Sequence, residues 1–382
     1  MPRLRGLGAT IFAEMSALAV ATDSINLGQG FPDVDGPDEI KQIVVDGVWG
    51  GRNQYAPGNG AAELKAAIVA HQKRFYGIEL DVDDEVLVTA GATEAVTAAM
   101  LALVDTGDEV IALEPYYDSY SAAIAMAGGV RVPVTLRAPD FRLDVDRLRA
   151  AVTPRTKLIL LNSPHNPTGV VLTRDELQAV ADVAIEHDLI VVTDEVYEHL
   201  VYDGSHLPIS TLPGMFERTL TISSAGKTFA FTGWKVGWAT GPEELVAAIR
   251  TTKQFMTFTN AAPMQPAIAH GLSMPDSYFT TLTTDLRRKR DLLSAGLARA
   301  GFDVFASQGT YFVTADIRPL GYDDGLAFCR ELPKLAGVVA IPHSVFYDHV
   351  EIGRPLVRFA FCKRDAVLAE AVDRVGKLTS PG

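Results

Sequence analysis

From about Asp81 onward, short runs of continuous apolar residues alternate with longer stretches whose apolar positions recur at helical spacing. "EVLVTA" (85–90) is followed by a helical pattern over 93–104, and "DEVIAL" (108–113) by one over 120–127. "TKLILLN" (156–162) leads through a loop to a helix over 173–187, and then to "LIVVTDE" (189–195). "ERTLTISSA" (217–225) and "VGWATG" (236–241) complete the strands, before a helix over 242–256. Strands apolar on both faces and separated by helices predict the α/β class, with a mostly parallel sheet covered on both sides.

The segment 276–300, rich in Leu and Arg, predicts a long helix leading to a second, smaller α+β domain. That domain would contain "YFVTADI" (311–317), "GVVAIPH" (337–343) and "LVRFAFC" (356–362), joined by the N-terminal segment. The expected division is a segment over 1–30 that packs with the small domain, a large domain over 31–275 and the small domain over 276–382. There is no internal repeat and no low-complexity tract.

A chain of 382 residues can bury a large core, and two domains are expected of it. Its formal charge of −13 argues against a nucleic-acid surface, which needs clustered Lys and Arg. Cys329 and Cys362 have no paired spacing and sit among apolar residues, so neither a metal nor a redox motif follows, and a reducing cytoplasm fits them. Arg3 and Arg5 ahead of "LGATIFAEMSALAVA" imitate a targeting signal. Glu14 interrupts that run, however, and Ile11, Met15 and Leu18 have helical spacing, so an ordinary amphipathic helix is expected. No apolar stretch approaches the about 20 residues needed to cross a bilayer, and no membrane partner is expected.

In a sheet of this kind the ligand lies beyond the C-terminal ends of the strands, and each polar cluster of the chain follows a strand. "ISSAGKTFAFTGWKVGW" (222–238) contains the Gly-Lys-Thr of a nucleotide-binding loop. Such a loop needs a second glycine five residues before Gly226, where this chain has Thr221, so a triphosphate site is excluded. Lys227 could instead form a Schiff base with an aldehyde. A lone lysine is ordinarily a solvated surface residue, but Ser224 and Lys235 nearby suggest a bound phosphate.

"TAGATEA" (89–95) turns from a strand straight into a helix, a weak but matching anion signal. "NSPHNPTG" (162–169) must be a turn, and Asn166 could donate to an anionic oxygen there. In "TDEVY" (193–197), Asp194 could cap a helix or hold a protonated ring nitrogen; an acid ending a buried strand needs some such partner. An aldehyde, a basic ring nitrogen, a phenolic oxygen and a phosphate occur together in pyridoxal 5′-phosphate.

These motifs resemble, in order and separation, those of the class I aminotransferases of fold type I, from "NLGQGFPD" (26–33) to "LVRFAFCKRD" (356–365). The branch most similar contains kynurenine, glutamine and methionine aminotransferases, and within it the enzymes acting on N-succinyldiaminopimelate; "FAEMSALA" and "EPYYDSYS" fit these too. The resemblance implies a mostly parallel seven-stranded sheet and pyridoxal phosphate as cofactor. It implies that Lys227 carries the cofactor and shuttles the proton, that Asp194 binds the pyridine nitrogen, and that Tyr197 and Asn166 bind the phenolic oxygen. By the same route Tyr117 stacks on the ring, and Ala92, Thr93, Ser224 and Lys235 form the phosphate cup. Many aspartate aminotransferases have arginine where Lys235 stands, and lysine there fits this branch.

Tyr55, in "NQYAPGNG" (53–60), matches a tyrosine that reaches the phosphate of the partner subunit, which implies a homodimer. Arg358 matches the substrate-carboxylate arginine, with Gly30 and Asn166 beside it. An Arg inside "LVRFAFC" otherwise needs a buried anion of its own. The implied reaction moves an amino group from an amino acid to a 2-oxo acid, expected to be 2-oxoglutarate. Two other readings stay open: a β-lyase using the same cofactor, and a ligand-sensing module, which no basic helix-turn-helix segment supports. For a distal anionic group of the substrate the candidates by charge are Arg5, Arg52 and Lys253; for an aromatic substrate they are Phe12, Tyr55 and Tyr117.

Overall fold

Seven strands form the central sheet of the computed structural model, which describes residues 10–378. They are β1 (Val86–Thr89), β2 (Glu109–Glu114), β3 (Val130–Thr135), β4 (Thr156–Asn162), β5 (Ile190–Asp194), β6 (Thr219–Ser224) and β7 (Gly237–Thr240). Their spatial order is β1-β7-β6-β5-β4-β2-β3. All neighbouring pairs are parallel except the two that β7 makes with β1 and β6. The other six strands therefore end on one edge, as a sheet that places its ligand there requires.

Alternate residues of the strands feed two apolar layers. Ile111, Leu161 and Val191 pack on one face with Val180 and Ala184 of the helix Arg174–Glu186. Val110, Leu160, Val192 and Ile222 pack on the other with Ala95 and Ala99 of the helix Gly91–Leu103. This two-sided burial is why the strands read as continuous apolar runs.

β3 is the strand that periodicity does not reveal. It lies at the sheet edge, starts with an exposed Val130, is only partly buried over the next three residues, and carries Arg131 and Pro133. Proline lacks the N–H of a central strand and is tolerated where one side needs no partner. The helices Asp38–Trp49, Ala62–Tyr76 and Met264–Leu272 were also not read from the pattern; they pack on one another through Ile40, Leu64, Ile68 and Ala267.

The long helix Asp276–Arg299 leads to a four-stranded antiparallel sheet, ordered Ile341–Pro342, Leu356–Ala360, Phe312–Asp316 and Asp303–Val304. The N-terminal helix Ile11–Ala21 is capped by Thr10, whose side chain accepts from the Ala13 amide. Ile25–Asn26 then pairs in parallel with Val338–Val339. Met15 and Leu27 share an apolar cluster with Leu293, Phe312 and Phe359, so the two ends of the chain pack together. Among the described residues no helix is long and apolar enough to cross a membrane. Arg3 and Arg5 lie outside the described residues. Cys329 and Cys362 are buried free thiols.

Candidate active site

The strand ends open into a cavity of about 940 Å³. One end is shaped by the turn from β1 into the helix Gly91–Leu103, whose first amides have no partners within the helix. Ala92 and Thr93 belong to that first turn and line the cavity, as do Ser224 at the end of β6 and the exposed Lys235. The start of β7 presses against this turn: a Cβ on Gly237 would lie 2.6 Å from the carbonyl carbon of Gly91 and 2.8 Å from the Ala92 nitrogen. Only glycine permits that approach. A helix N-terminus, a hydroxyl and an ammonium converge here, which fits a phosphate.

The floor is set by sheet register. Asn162 of β4 stands opposite Asp194 of β5 and donates from Nδ2 to the Asp194 carbonyl at 2.8 Å. Its Oδ1 accepts from the Asn166 amide at 2.8 Å, tying the turn to the sheet. The buried Asp194 carboxylate accepts from the Tyr120 hydroxyl at 2.7 Å and from the Val196 amide at 3.2 Å, and makes no ion pair among the described residues. Burial raises its pKa, against the lowering effect of the Tyr120 and Val196 donors and the Lys227 charge. A cation arriving from the cavity, such as a protonated ring nitrogen, would relieve that cost.

Lys227 projects from the single turn Ala225–Thr228 that follows β6. Its partly buried amine lies 5.6 Å from the ring centre of Tyr197 and 5.5 Å from that of Tyr311. Desolvation lowers its pKa to about 8, helped by the charges of Arg358 and Lys235 and opposed by Cys362 and Asp194. Such an amine is neutral far more often at pH 7 than an ordinary lysine, as a nucleophile and base must be. Tyr117 lines the same space, with burial pushing its phenol up to about 12.

Arg358 lies on the strand Leu356–Ala360 and is fully buried. Nη1 donates to Asn166 Oδ1 and Nη2 to the Gly28 carbonyl, each at 2.9 Å, while Nε has no partner among the described residues. No carboxylate pairs with it among the described residues. Three rings surround the guanidinium: Phe312 at 3.9 Å, Phe346 at 5.1 Å and Phe12 at 5.4 Å from the ring centres. Desolvation lowers its pKa to about 10. A buried cation with spare donors at a cavity wall suits a carboxylate supplied by a ligand. Gly30 sits beside it; its carbonyl accepts from the Tyr311 hydroxyl, and a Cβ there would meet the Phe312 ring at 2.5 Å.

The cavity thus gathers Gly30, Ala92, Thr93, Tyr117, Asn166, Asp194, Tyr197, Ser224, Lys227, Lys235 and Arg358. Tyr55 is not among its lining residues: it is 82% exposed and meets Phe258 edge-to-face at 5.5 Å. Of the candidates for a distal anion, Arg5 lies outside the described residues, Arg52 pairs with Glu63, and Lys253 Nζ donates to the Gly58 and Phe258 carbonyls. Neither Arg52 nor Lys253 is a cavity-lining residue. Sequence reasoning missed Tyr120 and Asn162, although both stand in motifs it singled out. It also missed Phe346 and Arg330, which no local pattern marks.

These residues fit pyridoxal phosphate: an anion cup, a buried carboxylate that lacks a cation, and a lysine of lowered pKa share one cavity. Residues 22–375 match the aminotransferase class I and II family, and the chain belongs to it. It is a pyridoxal-phosphate-dependent aminotransferase of fold type I, acting between amino acids and 2-oxo acids. A probable N-succinyldiaminopimelate aminotransferase of Mycobacterium tuberculosis is 53% identical over 98% of each chain. A solved structure of N-succinyldiaminopimelate aminotransferase from that organism superposes with a TM-score of 0.96, at 54% identity over 99% of each chain. The methionine aminotransferase of Escherichia coli is 40% identical over 98% of this chain and 97% of its own. A kynurenine–oxoglutarate transaminase of Dictyostelium discoideum is 40% identical over 97% and 94%.

Proposed function

We propose that the amino donor is N-succinyl-LL-2,6-diaminopimelate and the acceptor 2-oxoglutarate, in cytoplasmic lysine biosynthesis. The observation that carries this reading is the 53% identity to the Mycobacterium tuberculosis relative along nearly the whole chain, against 40% for the methionine and kynurenine enzymes.

When bound, pyridoxal phosphate supplies an aldehyde and a ring that accepts electrons from the substrate's Cα. Lys227 Nζ would hold the cofactor, and as a free amine it would take up and give back the proton of the substrate's Cα. Asp194 keeps the ring nitrogen protonated, and Tyr120 keeps Asp194 charged. Tyr197 and Asn166 Nδ2 would bind the phenolic oxygen, and Tyr117 would pack on the ring. Ala92, Thr93, Ser224 and Lys235 bind the phosphate. Arg358, with Gly30 and Asn166, takes the α-carboxylate and so orients Cα–H toward Lys227.

The working unit is a homodimer in which Tyr55 completes the partner's phosphate site. Supporting this, Val48, Trp49, Tyr55, Phe255 and Phe258 are exposed apolar side chains on two segments that meet at the Tyr55–Phe258 contact. The division into residues 1–30, 31–275 and 276–382 belongs to the same reading, the small unit carrying Arg358 to the cofactor.

A donor panel tests the assignment. The succinylated donor should show the highest kcat/KM, and a preference for methionine or kynurenine would overturn it. That second reading has its own support, because Phe12 and Tyr117 line the cavity. Sedimentation should give a dimer, and Tyr55→Phe should weaken cofactor retention.

A further inference from the structure

Besides the carboxylate on its reacting carbon, the donor proposed above carries two more, one on the far, succinylated α-carbon and one at the end of its succinyl arm. Neither Arg52 nor Lys253 is placed to meet either. The cavity wall offers another cation.

Arg330 of the helix Gly325–Ala336 and Glu14 of the N-terminal helix both line the cavity. Arg330 Nε donates to Glu14 Oε1 at 2.7 Å, and the guanidinium makes no other hydrogen bond among the described residues. Its two terminal nitrogens are therefore uncommitted, while the contact through Nε fixes the plane in which they lie. A carboxylate can take that outer edge with two parallel hydrogen bonds without displacing Glu14.

The other cations on this cavity are already assigned. Lys227 and Lys235 serve the cofactor, and Arg358 is buried against Asn166 and Gly28. Arg330, unlike the buried Arg358, stands about half exposed, and no cofactor role falls to it. Glu14 cancels part of its charge, so selectivity rests on the forked geometry more than on net attraction, and the effect is modest.

We propose that Arg330, oriented by Glu14, binds the distal carboxylate of an amino donor whose side chain ends in an acid on a long arm. This rests on the donor reading above. The experiment compares wild type, Arg330→Ala and Arg330→Lys on N-succinyl-diaminopimelate and on methionine. In Arg330→Ala the ratio of kcat/KM for the succinylated donor to that for methionine should fall roughly three- to tenfold, through KM. Arg330→Lys should lose most of the same preference, because it keeps the charge but not the fork. If wild type uses the succinylated donor and the ratio stays within about twofold in both variants, Arg330 is not the contact and the donor reading survives. Wild type that uses methionine and ignores the succinylated donor removes the donor reading and this inference together.

Discussion

The two walls of the cavity are built by different means. On the cofactor side each residue sits at or just after a strand end: Ala92 and Thr93 after β1, Asn166 after β4, Asp194 on β5, and Ser224 and Lys227 at the end of β6. Sheet register sets their spacing, and the hydrogen bonds of Asn162 and Tyr120 fix their directions. On the substrate side Phe12, Gly30, Phe346 and Arg358 come from the two ends of the chain and meet through tertiary contacts, ring packing around Arg358 and its hydrogen bond to the Gly28 carbonyl. A wall fixed by backbone pairing suits chemistry that never varies. A wall fixed by side chains can change its choice of substrate without disturbing the sheet.

The hardest test of the first wall is Lys227→Ala. Loss of the amine assigned to proton transfer should lower kcat by about 10³-fold or more, the scale of a lost general base together with the lost cofactor link. Near-normal turnover of this variant would remove the chemical assignment altogether. Asp194→Asn comes next. It keeps the shape and the Val196 contact but not the charge, so kcat should fall about 10²-fold, the usual scale for one preorganised electrostatic group. A cofactor absorbance that still shifts on adding donor, with slow turnover, would place the defect in chemistry and not in folding.

The contrast also explains what could be read beforehand. Strand–turn–helix units carry their signals locally, so six of the seven sheet strands and the loops holding Asp194 and Lys227 were visible as apolar runs followed by polar clusters. β3 was hidden because an edge strand with Arg131 and Pro133 lacks the two-sided burial that makes a run. Tyr120 was hidden for another reason: its role is a contact with a residue 74 positions away. The contact of Phe12 with Arg358 and the Glu14–Arg330 pair depend on still longer separations, 316 residues for the latter. Arg358 itself was legible because an arginine in an apolar strand demands an anion. The absence of a carboxylate partner among the described residues sharpens that demand.

A test of the second wall follows from the cage. Arg358→Lys keeps a cation but cannot give two nitrogens to Asn166 and Gly28 and still offer a fork to a carboxylate. Donor KM should rise at least tenfold, within the range for disturbing a buried hydrogen-bonded charge, while cofactor affinity stays close to wild type. A defect in cofactor binding as large as that in KM would mean that the two walls are not independent.

The smallest expected effect lies where the walls can be compared by pH. Tyr120→Phe removes one hydroxyl from Asp194 and leaves ring packing intact. A hydrogen bond to a charged group contributes about 1.5–3 kcal/mol, and the lower end of that range is a roughly tenfold fall in cofactor affinity. Burial already raises the Asp194 pKa, and the Tyr120 hydroxyl acts against that shift by favouring the charged form. Without it the carboxylate takes up a proton at higher pH, so the acid limb of the kcat/KM profile should move upward. Lys227 answers in the opposite sense: its amine is active when neutral, and uptake of pyridoxal phosphate by the apoprotein should quicken as pH rises through about 8. If Tyr120→Phe leaves the acid limb in place, Tyr120 supports the sheet edge without setting the charge of Asp194. The cofactor wall would then rest on backbone register alone.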